Sequence, residues 1–471
     1  MTYDPRTFDP LRYSTATAAF RDGGDSPRDY LERCLATIVE REPVVQAWVV
    51  LDEERARTQA DASTGRWRRG EPLSPIDGMP IGIKDLLETK DMPTQMGCAA
   101  FAGNFPRRDN AAVWALRQAG AVVLGKTVTT ELGGPEPSRT TNPFDPCRTP
   151  GGSSSGSGAA VGARMVPATI ATQTGGSLMR PASYCGVWGL KPSQGAINRG
   201  ERQTASTTTH GVHAGSSEDM WLVAVAIAAR AGGDPGRPAL HGPATPPPAR
   251  VPSTVAVVET EAWERLDPVS RGAFEQVVAQ VEAAGVRVLR RGDDAVVEGF
   301  EQALVGATEV GSGILAWEHS WAFRDLALAR PADFSDRVKR FFFDTAARLG
   351  PQGYEDALRR RAALVAAYTP LASRVDAVVL PTSSGPAPIW PGDVAGEPPV
   401  RWPTGDPGFN FPSSLLGAPA VNVPLMGVGG LPFGLQVMGQ PGTDARTVAI
   451  AGWMGSDLRP VVVRTAGSRD A

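Results

Sequence analysis

Apolar residues recur at helical spacing through Tyr30, Leu31, Cys34, Leu35, Ile38 and Val39, behind a Ser26-Pro27 pair that suits a helix cap and first turn. Residues 52–62 are polar and also read as helical. From there the pattern changes. Pro80-Ile81-Gly82-Ile83-Lys84 is a short β-like run. Asn110 caps a predicted helix that passes Leu116 and stops at Gly120, and Ala121-Val122-Val123-Leu124 follows as a buried strand. Residues 159–166 form an apolar, helix-like stretch, and residues 168–172 a strand. Further strands are predicted at 255–258, 286–289, 377–380 and 421–424, with helices between them. This alternation predicts an α/β protein whose sheet is largely covered.

A Pro/Gly-rich stretch from Gly232 to Pro252 reads as a surface excursion. It does not divide the chain, because the later strands are too few and too scattered for a sheet of their own. The expectation is a single domain over residues 1–471, one sheet being completed by both halves. An N-terminal helical segment covers about residues 1–70, and a less recognisable insertion covers about 233–375. No internal repeat is visible.

Composition narrows the class. Of 471 residues, 42% are hydrophobic and 21% charged, enough apolar material for a large core. Net charge is −3 with Lys and Arg scattered, so neither nucleic acid nor an anionic membrane is an expected partner. Cys34, Cys98, Cys147 and Cys185 lie far apart without a C-x-x-C pair and are read as reduced. No basic start followed by an apolar run marks a signal peptide, and no stretch reaches the ~18 apolar residues of a membrane span. The expected location is cytoplasmic.

Two small-residue loops carry the candidate chemistry. Gly151-Gly152-Ser153-Ser154-Ser155-Gly156 clusters hydroxyls on a permissive backbone, and Gly175-Gly176-Ser177 ends a strand. Serine needs a base within hydrogen-bond reach and stabilisation of the oxyanion formed on attack. None of the four histidines, His210, His213, His241 and His319, sits in a recognisable nucleophile setting. A lysine kept neutral by desolvation is the other option, and Lys84 ends an apolar strand. Taken alone, Lys84 also reads as a strand-end lysine pairing with Asp85 or reaching solvent. The first loop also reads as a turn, linker or phosphate cradle, and Ser177 as the cap of a tight turn. Gly152, Ser154 and Gly156 match G-x-S-x-G, but that elbow must follow a hydrophobic strand, and residues 141–146 are turn chemistry. On the catalytic reading, Ser177 attacks while the amides of Thr174, Gly175, Gly176 and Ser177 form a nest for the oxyanion.

Together these segments are more specific than each alone. Gly82-Ile83-Lys84-Asp85, residues 151–157, Thr172-Gln173-Thr174-Gly175-Gly176-Ser177 and Arg180-Pro181-Ala182-Ser183-Tyr184-Cys185-Gly186 resemble the amidase signature family. Gly189-Leu190-Lys191-Pro192-Ser193 extends the likeness, as does the 24-residue spacing of Ser153 and Ser177. Flanking pieces at 76–80, 119–127 and 434–436 are also similar, so the resemblance covers roughly residues 73–232 and 376–455. It implies a single large mixed β-sheet covered by helices on both faces. It implies hydrolysis of a carbon–nitrogen amide bond through an acyl-serine. Ser177 is then the nucleophile, Ser153 (after a cis peptide bond at Gly152) the proton carrier and Lys84 the ultimate base. Ser155 and Arg180 are supporting residues, and no metal or cofactor is needed.

Departures from the family pattern are Gln173 where Asp is common, Met179 where Arg is common with the arginine one place later, Leu86, and Gly215. Gln173 and the Arg180 spacing speak against the glutamine-hydrolysing component of a tRNA amidotransferase. The expected partner is a small-molecule amide substrate, and homo-oligomerisation stays open. Two alternatives remain: a non-catalytic amidotransferase subunit, and an acyltransferase or amide synthase using the same acyl-enzyme. The pairing of Ser154 with His210 in a conventional hydrolase is a weaker reading. Trp317, Trp321, Phe323 and residues 341–343 are candidate pocket walls, with core packing the favoured role.

Overall fold

In the computed structural model, residues 2–200, 205–394 and 396–464 are described. Among the described residues, twelve strands form one sheet: β1 (Trp48–Leu51), β2 (Pro80–Lys84), β3 (Val122–Thr127), β4 (Ala168–Gln173), β5 (Trp188–Lys191), β6 (Thr209–Ala214), β7 (Thr254–Val257), β8 (Arg287–Leu289), β9 (Ala377–Pro381), β10 (Ala420–Val428), β11 (Leu431–Met438) and β12 (Val461–Val463). Their order is β1-β3-β2-β4-β6-β5-β10-β11-β9-β7-β8, with β12 beside β10. β2 runs parallel to both its neighbours, β3 and β4, whereas β4, β6, β5, β10, β11 and β9 alternate in direction. The sheet is therefore mixed. The halves of the chain meet where β5 pairs with β10, Lys191 opposite Ala420 and Leu190 opposite Val421. One sheet completed by both halves is what the scattered late strands predicted.

β3 shows how both faces are covered. Val123 belongs to one hydrophobic cluster, while Val122 and Leu124 belong to another, and successive strand residues point to opposite faces. On one face lie residues of the helices Ala111–Gln118 and Ser217–Ala231. On the other lie residues of Pro27–Val45, Glu53–Arg68 and Ser155–Gly162. Ser26 caps the first of these long helices by accepting from Asp29 N, and Asn110 caps Ala111–Gln118, as the sequence predicts.

The helix expected at 159–166 begins earlier, at Ser155, inside the glycine–serine loop. Its composition reads as loop, but Gly156 sits against the backbone of Ala47 and Val128, where any side chain would collide, and its amide donates to Val128 O at 2.9 Å. Tight packing of small residues, not propensity, starts this helix. β1, β5, β6, β11 and β12 lie outside the expected strands; in β5, β6 and β11, Gly189, Gly211 and Gly434 interrupt the apolar pattern. The unmatched stretch 233–375 is no detached appendage: it supplies β7 and β8 to the common sheet. All four cysteines are free. Among the described residues, no helix is long and apolar enough to cross a membrane.

Candidate active site

β2 is buried at every position and flanked on both sides, so the lysine at its end is enclosed by protein. Lys84 is wholly buried, and its Nζ lies 2.8 Å from Ser153 Oγ, 2.9 Å from Ser154 Oγ and 2.9 Å from Thr172 Oγ1. The pairing with Asp85 that local sequence suggests is not made. Asp85 is taken instead by Lys126 on β3, at 3.0 Å, and by the Gln95 amide. Among the described residues no carboxylate lies in ion-pair range of Lys84. Burial alone therefore sets its proton affinity and pushes it well below the usual lysine range.

The serine loop is fixed group by group. The Gly152–Ser153 peptide is cis. Arg180 Nη2 donates to Gly152 O at 2.8 Å, Thr130 N donates to Ser153 O at 3.1 Å, and Ser155 Oγ donates to Gly151 O at 2.8 Å. Ser154 N donates to Ser177 O at 3.2 Å, tying the two small-residue loops together. Ser154 Oγ is used twice, by Lys84 and by Thr172 O at 3.1 Å, and no hydrogen bond joins it to His210. That geometry overturns the Ser154–His210 reading. Burial depresses His210 to about 3 and His213 to about 4, so both rings are neutral, and His213 Nε2 is held by Leu178 O.

The second loop owes its shape to Gln173. Its Oε1 accepts from the amides of Leu178 and Met179, both at 3.0 Å, and its Nε2 donates to Ser414 Oγ, which in turn donates to Gly175 O. The turn closes on this amide, at the position where Asp is common in the resembled pattern. Among the described residues, the amides of Gly175, Gly176 and Ser177 find no protein acceptor. All three residues face a cavity of about 730 Å³, along with Ser153 and Arg180. Thr174 does not line it, its hydroxyl pairing with Thr208. Ser177 is half-buried, at the floor of this cavity.

Arg180 is buried and, apart from Gly152 O, donates from Nε to Thr404 O at 3.2 Å. Outer walls come from Leu315, Phe341, Leu349, Trp402 and Phe411. Of the aromatics proposed as walls, Phe341 lines the cavity. Phe323 and Phe342 pack in a core cluster with Phe343 against it, Trp317 stacks on Tyr354, and Trp321 is exposed. Sequence reasoning gave Thr172 and Lys126 no role. Their signals were a second threonine two residues before Thr174 and a lysine at the end of β3.

The amidase family pattern matches residues 29–448. This chain belongs to the amidase signature family. It is 32% identical over 475 residues to the A subunit of the glutamyl-tRNA(Gln) amidotransferase from Chloroflexus aggregans, covering 93% of this chain and 95% of the relative. A crystal structure of an amidase is 30% identical and superposes with a TM-score of 0.80 over 94% of this chain and 99% of that one. A chain from a vestigial protein complex, tied to the evolutionary origins of an s-triazine catabolic enzyme, is 28% identical at a TM-score of 0.81, covering 96% and 100%. As a family member, the chain is an enzyme that acts on amides.

Proposed function

We propose that this amidase-family chain hydrolyses small amides through an acyl-enzyme on Ser177, with Ser153 and Lys84 moving the proton. The observation that carries this reading is a carboxylate-free, fully buried amine 2.8 Å from Ser153 Oγ, a hydroxyl that shares its cavity with Ser177.

Counting hydrogens sharpens the roles. A neutral amine has two N–H donors and one lone pair, and Lys84 Nζ has three hydroxyl neighbours. Ser154 gives its own hydrogen to Thr172 O, so it accepts from Lys84. One of Ser153 and Thr172 then accepts and the other donates into the lone pair. When Ser153 donates, its oxygen is free to take the proton from Ser177 as Ser177 Oγ bonds to the amide carbon. The amides of Gly175, Gly176 and Ser177 receive the oxyanion, a contribution of about 10²–10³ in rate per donor in comparable sites. Lys84, now protonated, returns the proton through Ser153 to the leaving nitrogen as the C–N bond breaks. Water, deprotonated along the same path, attacks the acyl carbon and releases Ser177. Ser155 and Arg180 hold the carbonyls of Gly151 and Gly152 and so keep Ser153 aimed.

A fluorophosphonate probe followed by peptide mapping tests the nucleophile. The expected label is on Ser177, and it disappears in Ser177→Ala. Labelling of the same peptide in that variant rules out the assignment.

A second reading has a specific observation behind it, the likeness to amidotransferase A subunits. Here the same acyl-enzyme serves a complex that passes ammonia or the acyl group onward. Release of free acid and ammonia by the isolated chain supports hydrolysis. Turnover only with an added amine acceptor or a co-purifying partner supports transfer.

A further inference from the structure

Three segments outside the sheet form part of the cavity's outer wall: Gly134-Pro135, Phe341, and Arg401-Trp402. They lie far apart in sequence; two sit beside contacts of one side chain, Arg337, and the third follows it in the chain. Arg337 is buried. Its Nη1 donates to Val400 O at 2.6 Å, its Nη2 to Asp393 Oδ1 at 2.7 Å, and its Nε stands 3.3 Å from Glu136 Oε2. Glu136 follows Pro135, Val400 precedes Arg401, and Arg337 itself precedes the π-helical turn Lys339–Asp344 that presents Phe341. That turn is anchored one step earlier, where the Ser335 amide donates to buried Glu131 at 3.1 Å. The Trp402 ring packs against Arg265 and Arg401, with guanidinium carbons 4.9 and 4.2 Å from its centroid.

Other buried arginines do different work. Arg199 forms its ion pair with Asp234, and Arg180 meets backbone carbonyls. Arg337 engages carboxylates from two separate segments and the carbonyl that precedes the wall residue Arg401. A planar guanidinium with five donors suits such a junction, whereas an ammonium cannot reproduce its fork.

Building on the acyl-serine reading, we propose that Arg337 is a specificity-positioning residue: it fastens three wall segments around the cavity and thereby limits the bulk of the amide that reaches Ser177. It touches no reacting atom. Loosening it enlarges the cavity without disturbing Lys84, Ser153 or the amide nest, which are fixed by other contacts.

The test is Arg337→Met, a change of similar length that leaves Glu136 and Asp393, 36% and 43% exposed at their side chains, free to be rehydrated. Two Ser177-directed sulfonyl fluorides that differ in bulk, methanesulfonyl fluoride and dansyl fluoride, report the cavity. The bulky-to-small ratio of labelling rates is expected to rise about tenfold, in line with the loss of charge-assisted hydrogen bonds. The small-probe rate should stay within about twofold. Asp393→Asn should give a smaller rise, and Arg337→Lys a partial return. Equal changes for both probes, or no change, overturn the proposal. Amide hydrogen exchange at residues 400–405 supplies an independent reading: it is expected to accelerate in Arg337→Met, and an unchanged pattern also overturns the proposal. If neither probe labels Ser177 in the unaltered protein, the acyl-serine reading falls by itself, and the exchange measurement decides the role of Arg337.

Discussion

Asp85 and Lys126 form an ion pair 3.0 Å apart, both sealed from solvent, and so the carboxylate next in sequence to Lys84 is committed elsewhere. Had Asp85 turned to Lys84, it would favour the ammonium form and remove the base. Lys126 is held in turn by Thr94 Oγ1 at 2.7 Å and Pro93 O at 3.1 Å. On the proposed mechanism, the neutral amine thus depends on a second lysine that takes no part in proton transfer. Lys126→Met is expected to move the acid limb of the pH–rate profile upward, because an unpaired Asp85 draws a proton onto Lys84. An unmoved limb assigns Lys126 to stability alone.

Lys84 also makes a prediction about stability. Its native proton affinity is lowered while the unfolded chain retains the ordinary value of 10.5. Between those values the unfolded state binds the extra proton, so stability rises with pH, by up to about 1.4 kcal/mol per pH unit for one group. Lys191, pushed down to about 7 by burial, contributes with the same sign. In a Lys191→Met background, adding Lys84→Met should flatten the rise of Tm with pH below 10.5 and abolish turnover. Lys191→Met alone should leave the acid limb of the rate in place. A Tm slope that ignores the loss of Lys84 means its amine is charged in the native state.

Ser177→Ala should lower kcat by at least about 10⁴, and Ser153→Ala by about 10²–10⁴, without altering the fold. Steady-state rates with circular dichroism as the control check both. Comparable activity in Ser177→Ala moves the nucleophile elsewhere.

Gly176→Ala probes the amide nest. A methyl group there would collide with Arg180 Nη1 and the Asn410 side chain. The expected result is a loss of about 10²-fold or more in kcat with substrate affinity less affected. An active Gly176→Ala enzyme would remove that amide from the oxyanion site.

Thr172→Val removes one of three partners of Lys84 while conserving shape. A fall of about tenfold in kcat is expected, with Ser177 still labelled by the probe, because the nucleophile stays in place and the amine loses orientation. Full activity means that Ser153 and Ser154 suffice to hold the amine.

Lys84, the two loops and the α/β architecture were legible in the sequence because each departs from what its neighbours require. A lysine ending an apolar strand and glycines preceding a serine have few bland uses when they occur together. Thr172 was not legible as a partner of Lys84, since a strand threonine is ordinary and only the pairing of β2 with β4 brings it near. The helix start at Ser155 was hidden because its cause, a close approach to Val128, lies in tertiary packing. Trp402 and Leu315 gave no local sign of facing the same space as Ser177. Such walls are set by how distant segments close over one another, and Arg337, which joins three of them, reads from sequence as one more surface arginine.

Ser153, Gly175, Gly176, Ser177 and Arg180 form the floor of the cavity, and much of its outer wall comes from residues between 306 and 411. On the proposed mechanism, descendants of such a chain can therefore exchange one clientele of amides for another by editing the later stretch alone, while the machinery of bond breaking is inherited intact.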